Sequence, residues 1–443
     1  MRFHMPGHKG RLDGSLPLLD ITLDMTELPG TGSLYDGSLP ISGAEDLCAK
    51  AWGAENAFFL TGGSSQGVRA AVYAAVKPGG RLICDRNCHT SLNSAIVMLD
   101  LTTEYIDSKI LPAFEVTGRL DPLEIERRIF ENPDVSGIFI TSPTYYGVMQ
   151  DVPAIAKIAR AHDVPLIVDE AHGAHLPFLT GCAGAVSQGA DLAVCSMHKT
   201  LPALGQSALL TAGSRVPAER IRYACSLFGS ASPSYLMMAN MDLTRAYMET
   251  EGRSRQKEIV EASLKFTAAL HERGLDSLGR HIICDPMRLT VNTAAVGLSG
   301  YDALEILEER FGIAPEMADR SNLVFILSAF DTREQLDKLL HALSSLAEVG
   351  RETVIPPLPV LPCPVAVMRP REAALSSERA VKLSDSEGKT ASRPVSVFPP
   401  GIQIVGAGER MEREHIEFLL MQGQPCDRKI YVVDQPIFGG AIR

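Results

Sequence analysis

A chain of 443 residues, 45% hydrophobic and 21% charged, is long enough for a large domain plus a smaller one and has the profile of a globular protein. Its formal net charge of −11 disfavours nucleic acid, whose phosphates want a basic face, and is compatible with attraction of small cations. No apolar run approaches the roughly 20 residues needed to cross a bilayer, and no charged-then-apolar signal opens the chain, so no membrane partner is expected.

The nine cysteines are an odd, scattered set. Cys84 and Cys88 are close, but no second pair or histidine cluster completes a zinc site, so no metal is expected. They read as reduced thiols of a cytoplasmic protein.

Residues 1–40 are rich in Gly, Pro and Asp and read as an N-terminal arm over a site. His8 and Lys9 fit either a site entrance or turn caps. A helix is expected from Ile41 to Trp52. The segment TGGSSQGVRAAVYAAVKPGG then reads as a strand end, a Gly/Ser turn and an apolar helix that stops at Pro78-Gly79. Free N–H groups at such a helix start can cradle a phosphate, whereas Ser64 there can equally be a plain N-cap. Arg81–Asp85 is the next strand, and RNCHTSL opens a helix through Ile96 and Leu99. A strand near Thr103–Ile106, a helix near Pro122–Phe130, a strand Gly137–Thr141 and an Asp-capped helix with Ile155 and Ala159 on one face continue the alternation. Alternating strand and helix signals imply right-handed crossovers and a mainly parallel sheet.

The most informative stretch is Pro165 to Gln206, PLIVDEAHGAH followed by DLAVCSMHKTLPALGQ. Its two apolar runs, Leu166–Val168 and Leu192–Val194, read as buried parallel strands. Ligands of such sheets bind at the carboxyl ends of the strands. One strand therefore delivers Asp169 and the other Ser196, His198 and Lys199. Lysines are mostly solvated surface charges, but one at a strand end beside a pocket is a candidate Schiff-base nucleophile. An acid about thirty residues upstream, also at a strand end, suits the pyridinium partner of pyridoxal 5′-phosphate, PLP.

DEAHGAH with SMHK resembles the PLP-dependent ornithine/lysine/arginine decarboxylases of aspartate-aminotransferase fold, fold type I. FHMPGHKG, ITLDMTELPG, RNCHTSL and FPPGI match further landmarks of that family, in family order over most of the chain. The resemblance is to the short form without the N-terminal regulatory domain. The family has a further helix before FHMPGHKG, so a truncated or misassigned start is expected. The resemblance implies an α/β large domain over residues 41–270, and from about Leu275 strand-like MRLTVNTAAV and NLVFILSAF with helix-like YDALEILEERFG and REQLDKLLHALSSL suggest a smaller α+β C-terminal domain over 271–443. Within the latter, a Pro/Ser-rich surface connection is expected at about 351–395. It also implies a homodimer or higher homo-oligomer.

By the same resemblance, Lys199 holds the cofactor aldehyde and Asp169 its ring nitrogen. His89 stacks on the ring, although as a lone histidine it can equally be a cap. Gly63, Ser64 and Ser65 hold the phosphate with Ser196 and His198, and His172 lies near the 3′-oxygen. Ser230 or Ser232 reaches the phosphate of the neighbouring subunit. His175 reads as structural, and Glu170 as pointing away from the ring, since neighbours on a strand alternate faces. The implied reaction is decarboxylation of a basic amino acid, as in polyamine biosynthesis, with arginine favoured over lysine or ornithine. His198 or Lys199 returns the Cα proton. Asp36 and Glu409 are candidates for the distal substrate cation, or simply solvated acids.

The chain departs from the family pattern at Gly32, Ser33, Tyr35, TGGSS, Phe398 and GAGE. These changes bear on substrate identity rather than on the cofactor. Two other readings stand beside decarboxylation. An aminotransferase of the same fold would pair Arg288 or Arg410 with the substrate carboxylate, and a catalytically silent paralogue would act as a binding protein.

Overall fold

The computed structural model describes residues 1–4, 25–106, 108–349, 363–397 and 402–437. Its largest element is a seven-stranded sheet. In chain order the strands are β1 (Asn56–Leu60), β2 (Arg81–Asp85), β3 (Thr102–Ile106), β4 (Val135–Thr141), β5 (Leu166–Asp169), β6 (Leu192–Cys195) and β7 (Ala208–Ala212). Across the sheet they run β1-β7-β6-β5-β4-β2-β3. Only β7 is antiparallel to its neighbours.

Both faces of this sheet are covered, which is why its strands are apolar at successive positions rather than at every second one. Leu82, Cys84, Phe139 and Ile167 join one core with α2 (Gly63–Ala75) and α3 (Ser91–Leu99). Ile83, Ile138, Ile140, Leu166 and Val168, their strand neighbours, join the opposite core with α4 (Pro122–Glu131) and α5 (Val152–Ala161). Asp151 caps α5 by accepting from the Ala154 amide at 3.2 Å. A third core joins α1 (Ile41–Trp52), through Cys48 and Trp52, to Phe59 and Leu209 of the sheet edge.

The chain leaves the sheet through α6 (Ala218–Phe228), α7 (Tyr235–Glu249) and α8 (Glu251–His271). Helices α7 and α8 are separated at Thr250, with φ −117° and ψ −104°. Beyond it, β8 (Asp276–Ser277), β9 (Arg288–Asn292), β10 (Met317–Ala318) and β11 (Asn322–Ile326) form an antiparallel sheet in the order β8-β9-β11-β10. It packs with α9 (Gly300–Phe311) and α10 (Arg333–Val349) through Leu289, Leu307, Phe325 and Leu343.

Of the expected arm, residues 5–24 lie outside the described residues, and one expectation, the surface connection, changes. Of the arm, Arg2–Phe3 pairs in parallel with Ala314–Pro315, and Phe3 is buried edge-on against Phe325 at 5.7 Å. Residues near 32–35 pack inward: Leu34 is buried, its carbonyl accepts from Arg222, and the Gly32 carbonyl accepts from Tyr235. His8, Lys9 and Phe398 lie outside the described residues. The stretch expected as a surface connection up to residue 395 is built into a folded unit from residue 370 onward. It forms a short helix (Pro370–Leu375), strand β12 (Ser377–Lys382) and strand β13 (Val395–Val397). These pair with β15 (Lys429–Gln435) and β14 (Ile402–Val405) respectively, over a separate core of Leu383, Val405, Met411, Leu419 and Val432.

Gly67 sets how closely α2 lies on the sheet. A Cβ there would sit 2.6 Å from both Leu60 and Val194 side-chain carbons. Gly67→Val is therefore expected to destabilise the protein by about 1–3 kcal/mol through overpacking. Gly205→Ala, with open space around an added Cβ, should change little. Denaturant midpoints of the two variants against the parent check this.

Candidate active site

The site forms where three parallel strands end at one level. Asp169 closes β5, in register with Thr141 of β4 and Val194 of β6. After β6, Ser196 leads into a single helical turn, Met197–Thr200, which projects Lys199. A cavity opens there. Its wall brings together Ser64, His89, Asp169, His172 and Lys199 with Asn87, Thr117, Thr141, Thr144, Tyr145, Tyr146 and Ala171.

Asp169 is 3% exposed, and its Oδ1 accepts from the Ala171 amide at 3.1 Å. It makes no ion pair among the described residues, unusual for a buried acid facing a cavity. Burial pushes the Lys199 ammonium down from its ordinary pKa, with Asp169 opposing. Lys199 Nζ lies 3.1 Å from His172 Nε2, and His172 Nδ1 lies 2.9 Å from Arg288 Nη2. Burial, then the charges of Lys199 and Arg288, hold His172 well below the usual imidazole range, so its ring is neutral. Tyr145 stands edge-on to that ring at 5.0 Å, and its hydroxyl donates to Glu316 at 2.6 Å. Tyr146 donates likewise to Asp319 at 2.7 Å.

The remaining candidates fall around this centre. Gly63 opens α2 at φ +72°, a conformation that suits glycine. Ser64 does not cap the helix: the cap position is Gly62, whose amide is bonded by Gln66 Oε1 at 2.8 Å. Ser65, next along, is off the cavity wall. His89 lines the cavity with Nδ1 turned to Ser91 Oγ at 3.0 Å. Ser196 is fully buried, and its Oγ has no hydrogen-bond partner among the described residues, as is also true of Thr141 Oγ1. His198 is not on the wall, because its Nδ1–H donates to the Ser207 carbonyl at 3.0 Å. Ser230 and Ser232 form an exposed corner outside the cavity of their own chain.

Neither candidate for the distal cation lines the cavity. Asp36 is exposed and accepts from the Ser38 amide. Glu409 is held in a bidentate pair with Arg86, both contacts 3.3 Å, and by the Gly406 amide. Of the arginines weighed for a substrate carboxylate, Arg410 pairs with Glu412, whereas Arg288 is buried beside His172. His175 is buried and bonded to Asp285 at 3.0 Å. Glu170 points away from the cavity and accepts from the Ala185 amide and Cys195 Sγ.

Sequence reading missed the wall from Thr141 to Tyr146, although Thr141 ends a strand beside β5 and satisfied the rule that selected Asp169. Glu316 carried no local signal. The cavity fits PLP in its donor set. It offers an amine for the aldehyde, an unpaired buried acid for the ring nitrogen, and orphaned hydroxyls for oxygens.

Comparison with known proteins gives the chain its relatives. The family model described as Orn/Lys/Arg decarboxylase, major domain, matches residues 17–279, and its C-terminal domain model matches residues 360–428. An arginine decarboxylase of Halalkalibacterium halodurans is 30% identical over 95% of this chain and 89% of its own length. The inducible lysine decarboxylase of Escherichia coli is 23% identical over 91% of this chain and 70% of its own. The crystal structure of a Francisella novicida lysine decarboxylase superposes with a TM-score of 0.78 at 20% identity, covering 94% of this chain and 74% of that one.

Burial pushes the Glu170 carboxyl up to about 8. A raised acid favours the folded state while protonated in it, so this stability is present at low pH and lost as pH rises through 8. Glu170→Gln keeps the acceptor and removes the charge. Its thermal midpoint is expected to match the parent at pH 5 and exceed it by a few degrees at pH 8.5, read by thermal melts at both values.

Proposed function

The chain belongs to the Orn/Lys/Arg decarboxylase family, and from that premise we propose that it is a PLP-dependent arginine decarboxylase. That it is an amino-acid decarboxylase of fold type I follows from the family and the fold. The cofactor and the substrate are the reading offered here. The observation that supports it is the convergence of Lys199 and Asp169 on one cavity from neighbouring parallel strands.

Lys199 would hold PLP covalently, Asp169 would face its ring nitrogen, His89 would cover one ring face, and Ser64 and Ser196 would serve its phosphate. PLP would supply an electron sink for the bonding pair left on Cα as CO2 departs. Asp169 suits its part because it makes no ion pair among the described residues and faces the cavity. Lys199 is the better donor of the Cα proton, since it lines the cavity while His198 is turned to the Ser207 carbonyl. Glu316, reached through the Tyr145 hydroxyl, puts negative charge behind the wall, where a substrate guanidinium would seek it. Arginine is preferred over lysine because the relatives at 30% identity over 95% of the chain are named for arginine.

Incubation of purified protein with PLP and arginine, lysine or ornithine in turn is expected to yield CO2 and one amine, fastest from arginine. A keto acid instead would turn the reading to an aminotransferase, for which Arg288 is the buried cation at hand. Lys199→Ala should lose both turnover and the visible absorbance of bound cofactor. Glu316→Gln should raise KM for arginine about tenfold, the worth of one weakened charged hydrogen bond, with a smaller effect on kcat in steady-state kinetics.

A further inference from the structure

Arg288 is the first residue of β9 and is 4% exposed, a costly place for a charge that stays protonated. Its Nη2 meets His172 Nδ1 at 2.9 Å, while Nε and Nη1 have no hydrogen-bond partner among the described residues. The nearby acid Asp285 is engaged by His175 and by the Met287 amide. The Tyr145 ring lies 5.8 Å from the guanidinium carbon. Gly147, at φ +95°, leaves the room: a Cβ there would fall 2.6 Å from Arg288 Cγ. The fold thus encloses this side chain and spends one of its hydrogen bonds on one imidazole nitrogen.

A guanidinium can only donate. His172 Nδ1 must therefore accept, and the neutral ring must carry its proton on Nε2. That N–H faces Lys199 Nζ at 3.1 Å. An ammonium at Nζ would set proton against proton, whereas a free amine presents a lone pair. The one member of the chain whose donor role cannot reverse thereby orients the other two.

We propose that Arg288 is a positioning residue that fixes the tautomer of His172 and so holds Lys199 as the free amine, ready to bond a carbonyl carbon. The inference rests on the reading of Lys199 as the lysine that binds PLP. In that step the amine lone pair forms the C–N bond to the aldehyde carbon, and the oxygen departs as water with both amine protons. The charged and titratable groups facing Lys199 and His172 are Asp169 from β5, His89 before α3, Tyr145 after β4, His198 on the same turn, Glu316 just before β10 and Arg288 itself. Arg288 also repels an ammonium directly, so the test must separate charge from hydrogen-bond direction.

The measurement is the pH dependence of PLP capture by the apoprotein, followed by the visible band rather than by turnover. Arg288→Met is expected to move the midpoint up by about one pH unit, a tenfold slower capture below it. Arg288→Lys, which keeps a cationic donor, should restore the midpoint toward the parent value. In a His172→Phe background, the Arg288→Met effect should shrink to a small part of its size, since no imidazole remains to transmit it. An unchanged midpoint in Arg288→Met, or an equal shift with and without His172, overturns the proposal while leaving Lys199 as the PLP lysine. Absence of any band in the parent protein overturns both. Imidazole nitrogen shifts of histidine-labelled parent protein, assigned by difference against His172→Phe, need no Arg288 variant. A proton on Nε2 supports the proposal, and one on Nδ1 refutes it.

Discussion

The molecule depends on two short apolar strands lying side by side in parallel. Because β5 and β6 run the same way and in register, the polar residues that follow each strand emerge at one end of the sheet. An antiparallel pairing of the same segments would have sent Asp169 and Lys199 to opposite ends. Everything else at the site is arranged about that coincidence. Both faces of the strands are buried, so register is strongly held, and a slip of one residue would exchange the two cores. Position is thereby imposed on a carboxylate and an amine by hydrophobic packing, with no ion pair needed to hold either one.

The carboxylates of Asp169 and Glu170 show how much a strand's pleat decides. They are adjacent in sequence and both buried. One faces a cavity lined by polar groups, the other an interior where a backbone amide and a thiol are its partners. The same side-chain chemistry is thus split into a ligand-facing acid and a structural one.

Much of this was legible in the sequence because the signals were local. Apolar runs with polar residues at their ends marked the strands of the large sheet, Pro78-Gly79 ended α2, and Asp151 announced α5. What was not legible depends on distant pairing. Arg288 meets His172 across 116 positions and Glu316 meets Tyr145 across 171, and neither has a neighbour in sequence that betrays the contact. Strand β12 was missed for another reason. SERAVK is exposed at nearly every position and lies in a two-stranded ribbon, so it lacks the alternation that a half-buried strand displays. Glu409 was singled out from its motif as a substrate contact, but its partner, Arg86, lies 323 positions away and could not be foreseen.

That last pairing gives the end of the chain a mechanical part in the middle of it. Arg86 is nearly buried, has its guanidinium carbon 4.1 Å from the centre of the Tyr105 ring and is gripped by both oxygens of Glu409, with Asn87 and His89 of the cavity wall immediately after it. The C-terminal unit therefore acts as a clamp on the turn that presents His89. Trimming or loosening that unit would take both carboxylate contacts away from a mostly buried guanidinium and slacken the turn that follows it.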